Sequence, residues 1–177
     1  MCFHFMSLGR SVWNLHEQIL VASLDLGDNV LAEVCLEELK KKFPASIRVG
    51  RLEGLIKEQQ CEYEAALDIY KELLSRSPGN LMVMKRRACV FKAMGDAKGE
   101  IDELNSILKQ FPADSATWQE MGDVYLSAGD HASAAHCFEE IVLLSPGCAH
   151  HHSRLADVYF SIGNLAIKDR CCLDCSH

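Results

Sequence analysis

Large apolar, small and polar positions return along this chain with one constant period. The four prolines, Pro44, Pro78, Pro112 and Pro146, stand 34 residues apart. Counted with proline at position 32, the chain divides into units 13–46, 47–80, 81–114 and 115–148, with a broken fifth from 149. Position 8 reads Leu20, Gly54, Ala88, Gly122 and Ala156, and position 20 reads Ala32, Ala66, Glu100 and Ala134. Small residues there let two helices cross closely, while large ones such as Trp118, Met121, Tyr125 and Phe138 fill the space between neighbouring units. Position 15 reads Gly27, Cys61, Gly95, Gly129 and Gly163, followed by Asp28, Glu62, Asp96, Asp130 and Asn164. Glycine takes the left-handed conformation that ends a helix, and Asp or Asn accepts bonds from the free N–H groups that open the next. Proline supplies the stop and start between units. The pattern predicts nine helices and no strand, at about 13–26, 29–42, 47–60, 63–76, 81–94, 97–110, 115–128, 131–144 and 149–162.

A period of 34 residues is that of the tetratricopeptide repeat, a helix–turn–helix unit that stacks on copies of itself. The fourth unit matches best, with Trp118, Met121, Gly122, Tyr125, Ala134, Phe138 and Pro146 at the expected places. The predicted fold is an all-α tetratricopeptide-repeat solenoid, a right-handed superhelix of antiparallel helix pairs with four repeats plus a partial fifth. Residues 1–12 form an N-terminal segment, 13–164 the repeat domain, and 165–177 a cysteine-rich tail outside the pattern that is expected to be disordered. Unit one departs at Leu20, and unit three at Glu100 with Gly99 beside it. In such a stack each repeat touches only its neighbours, and first helices line a concave face. Positions 2, 5, 6, 9 and 12 point into that groove in repeats of this type. They include Arg48, Arg51, Lys85, Arg86 and Lys92 in units two and three, and Glu120 and Asp123 in unit four. A basic patch thus adjoins an acidic one, a candidate partner-binding groove. The bland alternative is charge that only solvates helices.

Hydrophobic content of 49% with 24% charged residues suits a soluble helical protein. A net charge of −7 argues against a nucleic-acid binder, which needs a basic face to neutralise phosphates. No run of 18 apolar residues is present to span a membrane, and MCFHFMSLGR lacks the basic start of a secretory signal. The chain reads as cytosolic. Among its nine cysteines, Cys35, Cys61, Cys89 and Cys137 fall in or at the ends of helices and read as small hydrophobes in a reducing compartment. The tail holds Cys171, Cys172, Cys175 and His177, a single CxxC-plus-His pattern where zinc usually takes two pairs. No metal or cofactor is therefore expected. No phosphate loop, HExxH or nucleophile elbow is present, so the chain is not read as an enzyme. Co-chaperone repeats clamp a C-terminal carboxylate with Lys and Asn at fixed positions. Neither possible register here supplies an asparagine, which counts against the alternative of a free-standing adaptor or co-chaperone.

The stretch LDLGDNVLAEVCLEELKKKFPASIRVGRLEGL at 24–55 is more specific than generic repeat sequence. With MKRRACVFKAMGD, EIDELNSILKQFP, ATWQEMGDVYLSAGDHASAAHCFEE and LADVYFSIGN, it resembles the family of subunit 2 of the endoplasmic-reticulum membrane protein complex. The resemblance runs over roughly residues 8–165. It implies a non-catalytic cytosolic scaffold that grips cytosolic segments of membrane-embedded subunits. The assembled complex inserts tail-anchored and multipass proteins into the endoplasmic-reticulum membrane. Partners would be other subunits of that complex, with no nucleic acid, no small-molecule substrate and no membrane span. Family members carry further helical sequence on both sides of the matched region. A stack ending on a lone first helix would leave Leu155, Tyr159 and Ile162 partly uncovered.

Overall fold

The computed structural model describes residues 3–163, with side chains described from Val12 onward. The cysteine-rich tail and its CxxC pattern lie outside the described residues. Within them the chain forms nine helices and no strand. These are α1 (Phe3–Asp25), α2 (Asn29–Lys42), α3 (Ile47–Gln59), α4 (Tyr63–Arg76), α5 (Leu81–Met94), α6 (Ala97–Gln110), α7 (Ser115–Ser127), α8 (His131–Leu144) and α9 (Ala149–Ile162). Eight of the nine start where the period puts them. The exception is α1, which begins at Phe3 rather than near 13, because no proline or Gly–Asp junction precedes the first repeat to stop a helix there.

The mid-repeat junctions are local devices, and the structure shows how each works. Gly27, Gly95, Gly129 and Gly163 have φ of 76°, 74°, 76° and 78°. After Gly27 and Gly129 the next N–H reaches back five residues, Asp28 N to Ser23 O at 2.8 Å and Asp130 N to Tyr125 O at 2.9 Å. Those bonds close a Schellman cap. Asp28, Asp96 and Asp130 then accept from the N–H groups of Leu31, Gly99 and Ser133 at 3.0–3.1 Å, opening the next helix. Unit two keeps the same turn without glycine: Cys61 adopts φ 60°, a conformation that costs an L-residue roughly 1–2 kcal/mol. Its follower Glu62, one methylene longer than Asp, makes no cap and instead accepts from Lys57 Nζ at 2.7 Å.

Between repeats, proline acts on the residue before it. Phe43, Ser77, Phe111 and Ser145 leave the helical region, with φ from −129° to −145°, as the clash with a following pyrrolidine ring requires. Asp114 adds a cap that the periodic positions do not announce, accepting from Thr117 N at 3.1 Å.

The chain divides into two compact units at the Met94–Gly95 junction, within the third repeat. In the first, Leu20, Leu36, Leu39, Val49, Leu52 and Ile56 pack into one core, and Tyr70, Leu73, Val83 and Val90 into a second. In the second, Phe138, Ile141, Leu155 and Val158 do the same, with Trp118 and Tyr125 against them. Positions 8 and 24 are matched in volume. Gly54 lies under the ring of Tyr70, and Gly122 under that of Phe138. Unit one instead combines Leu20 with Leu36, exchanging a glycine–aromatic pair for two medium side chains in the same core. Glu100 is buried rather than solvent-facing. On α9, Leu155 is also buried, because it faces α8, and the Tyr159 phenol donates to Glu139. Of the three residues expected at an uncovered flank, Ile162 is the exposed one, at 44%.

Candidate first-helix interaction face

The face positions of the first helices carry ion pairs that cross from one repeat to the next. Glu17 of α1 meets Arg48 of α3 by two prongs, Nε–Oε1 at 2.7 Å and a terminal nitrogen to Oε2 at 2.5 Å. Glu58 near the end of α3 faces Arg86 of α5 at 3.3 Å. Asp123 of α7 pairs with Arg154 of α9, whose guanidinium carbon also sits 5.2 Å from the Phe138 ring centroid, within cation–π range. Two of these pairs join residues 31 apart, one repeat less three positions.

The Glu58 site is the most enclosed of the three. Its other oxygen accepts from the Tyr70 hydroxyl at 2.5 Å. Burial holds the Glu58 carboxyl above the usual carboxylate range, against the lowering effects of the Tyr70 bond and the Arg86 charge. Burial and that carboxylate together push the Tyr70 phenol well up.

The cationic positions read from the sequence therefore differ in character. Arg48 is exposed but paired with Glu17, and Arg86 is half-buried and paired with Glu58. Arg51 is half-buried, with its Nε–H enclosed and lacking a hydrogen-bond partner. Lys85 is half-buried and engaged, while Lys92 is exposed. In the fourth repeat Glu120 is half-buried and Asp123 is tied to Arg154. A free basic patch thus becomes, in part, a set of neutralised pairs. The partners Glu17, Glu58 and Arg154 escaped selection as site residues, although they occupy positions 5, 12 and 6 of their units. Opposite charges on such positions of consecutive units were the available signal.

Two of the thiols read as small hydrophobes are placed for packing, whereas Cys61 is exposed at the turn between α3 and α4. Cys35 and Cys137 are buried, and burial pushes the Cys137 thiol up to about 11, which suppresses the nucleophilic thiolate. Among the described residues no group of three or more His, Cys, Asp or Glu is arranged to hold a metal ion.

Comparison with known proteins places this arrangement in a context. Residues 29–164 match the family model of the EMC2 TPR-like repeat domain. ER membrane protein complex subunit 2-B of Xenopus laevis is 43% identical over 84 residues, which cover 48% of this chain and 28% of that protein. ER membrane protein complex subunit 2 of Dictyostelium discoideum is 38% identical over 72 residues, covering 40% and 22%. The matched stretches thus span less than a third of each relative. Among solved structures, MamA 41-end from Desulfovibrio magneticus RS-1 superposes with a TM-score of 0.66 at 16% identity, over 92% of each chain. That likeness shows the fold, an all-α tetratricopeptide-repeat architecture.

Proposed function

The chain belongs to the EMC2 TPR-like repeat family, and we propose from that premise that it is a non-catalytic scaffold subunit of the ER membrane protein complex. In this reading it lies on the cytosolic face of the endoplasmic reticulum, held there by other subunits. It supports insertion of tail-anchored and multipass proteins by binding cytosolic segments of its membrane-embedded partners. The observation that carries the reading is the family match over most of the repeat region, joined to helices that present first-helix faces. No helix among the described residues is long and apolar enough to cross a membrane, which suits attachment through partners.

Within that reading Arg48, Arg51, Lys85, Arg86 and Lys92 form a partner-binding face on the part of the chain before Gly95, and Glu120 and Asp123 form one on the part after it. Paired guanidiniums such as Arg48 and Arg86 hold register between repeats, and Arg51 and Lys92 offer charge to a partner. Electrostatic complementarity of this kind governs encounter rate and orientation more than raw affinity.

Affinity purification of the tagged chain from its own cells, followed by mass spectrometry, tests the proposal. Recovery of the membrane-embedded subunits of the complex is expected. A recovered set dominated by soluble chaperones, with those subunits missing, would replace the scaffold reading with that of a co-chaperone.

A further inference from the structure

On α7, Trp118, Met121 and Tyr125 follow one another at i, i+3 and i+7 and form a single stripe. At 100° per residue this stripe lies on the opposite side of the helix from Glu120 and Asp123. Asn105 of α6 and Ser133 and His136 of α8 wall it in, leaving an open cleft of ≈ 450 Å³. From Trp118 to Tyr125 the helix rises about 10 Å, the reach of roughly three residues of extended chain.

The two ends of the cleft differ. At one end the Trp118 indole donates to Pro112 O at 2.9 Å, and the His136 ring stands edge-on to it with centroids 6.1 Å apart. Its polar atom is engaged, so it offers a visitor only an aromatic surface. At the other end stands Tyr125, and two carboxylates flank the lining residues Ser133 and Asn105 there. Asp130 is held beside Ser133 by bonds from that residue's N at 3.1 Å and Oγ at 2.6 Å. Those bonds keep its carboxyl below the ordinary range, hence ionised at neutral pH. Asp102 lies one turn before Asn105 on the same face of α6. Asp130 is placed beside Tyr125 by its own N–H, which donates to Tyr125 O at 2.9 Å, and the Tyr125 phenol is raised by burial first, with these neighbouring acidic groups adding to it.

We propose that this cleft is a docking site for a basic side chain, arginine or lysine, carried by an extended segment of a partner protein. An aromatic face attracts a cation through its quadrupole, and the adjoining carboxylates add direct attraction. The same carboxylates repel phosphate and acidic peptides. The site is separate from the first-helix face and does not depend on assembly with the complex.

The test uses the full chain, ¹⁵N-labelled, titrated with the blocked tripeptide acetyl-Leu-Ser-Arg-amide and its citrulline and glutamate counterparts. Citrulline keeps the shape of arginine and removes its charge. The arginine peptide is expected to move the Trp118 indole and Ser133 amide signals and to leave the Trp13 indole in place. The citrulline peptide should bind about fivefold more weakly, and the glutamate peptide not measurably. Asp102→Asn, a change at an exposed residue, should weaken arginine binding about threefold without moving the unfolding midpoint. Tyr125→Leu should weaken it further. Equal binding of arginine and citrulline peptides, indifference to Asp102→Asn, or equal shifts at Trp13 and Trp118 would each overturn the assignment.

Discussion

The close approach of α3 and α4 at Gly54 makes a quantitative prediction. A methyl group at Gly54 would lie 2.4 Å from both Cε1 and Cζ of Tyr70 and 2.6 Å from its hydroxyl. Real contacts of that length do not occur, so the ring must move. It has little freedom, being fully buried and tied through its hydroxyl to Glu58, which in turn faces Arg86. Overpacking costs about 1–3 kcal/mol, and loss of a hydrogen bond to a charged acceptor adds about 1.5–3 kcal/mol. Replacing a helical glycine returns about 1 kcal/mol. Gly54→Ala should therefore destabilise the chain by about 1.5–5 kcal/mol, a fall of roughly 3–20 °C in midpoint for a chain of this size. The comparison is Gly122→Ala, whose added carbon meets the Phe138 ring at 3.0 Å. Phe138 has no hydroxyl anchor and needs to yield only a few tenths of an ångström. That variant should fall within about 1 kcal/mol of wild type, the helix gain offsetting the strain. Urea and thermal unfolding followed by circular dichroism at 222 nm measure both. Adding Tyr70→Leu to Gly54→Ala should recover part of the loss, because unit one already uses Leu36 at the same position. Wild-type stability for Gly54→Ala, or a larger loss for Gly122→Ala, would refute the matching of positions 8 and 24.

Cys61→Gly should stabilise by about 1 kcal/mol, since glycine removes the left-handed strain at φ 60° that the other four junctions avoid; an unchanged or lower midpoint would contradict this. Glu58 has a folded-state pKa raised by burial, so its neutral form is favoured by folding and its contribution is full below the ordinary value of 4.5. It is lost as pH rises from there through the higher folded value. Urea midpoints of wild type and Glu58→Gln, compared across that window, should shift in favour of the variant as pH increases, and a flat difference would count against the burial argument. Arg51→Glu with Lys92→Glu should reduce recovery of membrane subunits in the purification assay while leaving the helical spectrum intact. Unaltered recovery would mean that these charges only solvate the surface.

Much of the candidate face was also readable in advance, but only as a set of directions. The period placed Arg48, Arg51, Lys85 and Arg86 on the first helices α3 and α5. It could not say that Glu17 reaches Arg48, or that Glu58 accepts from Tyr70 while meeting Arg86. Such contacts depend on how far each side chain extends toward the next repeat, and two of the three pairs bridge 31 residues. The aromatic cleft of α7 was hidden for a related reason. Trp118 and Tyr125 match positions of the repeat pattern and read as core, yet α6 and α8 leave part of their surface open.

What the chain determined by itself is whatever lies within a few bonds. Proline forces its predecessor out of the helix, glycine admits the left-handed turn, and aspartate caps the next helix, so helix boundaries followed from composition at fixed positions. Cys61 marks the limit of that logic: its intrinsic preference opposes the turn it makes, and the packing of α3 on α4 imposes it. Tertiary structure alone decided which charges are neutralised, which rings are covered, and that Leu155 is buried against α8. Those outcomes depend on distances between separate helices, and neither period nor propensity carries that information.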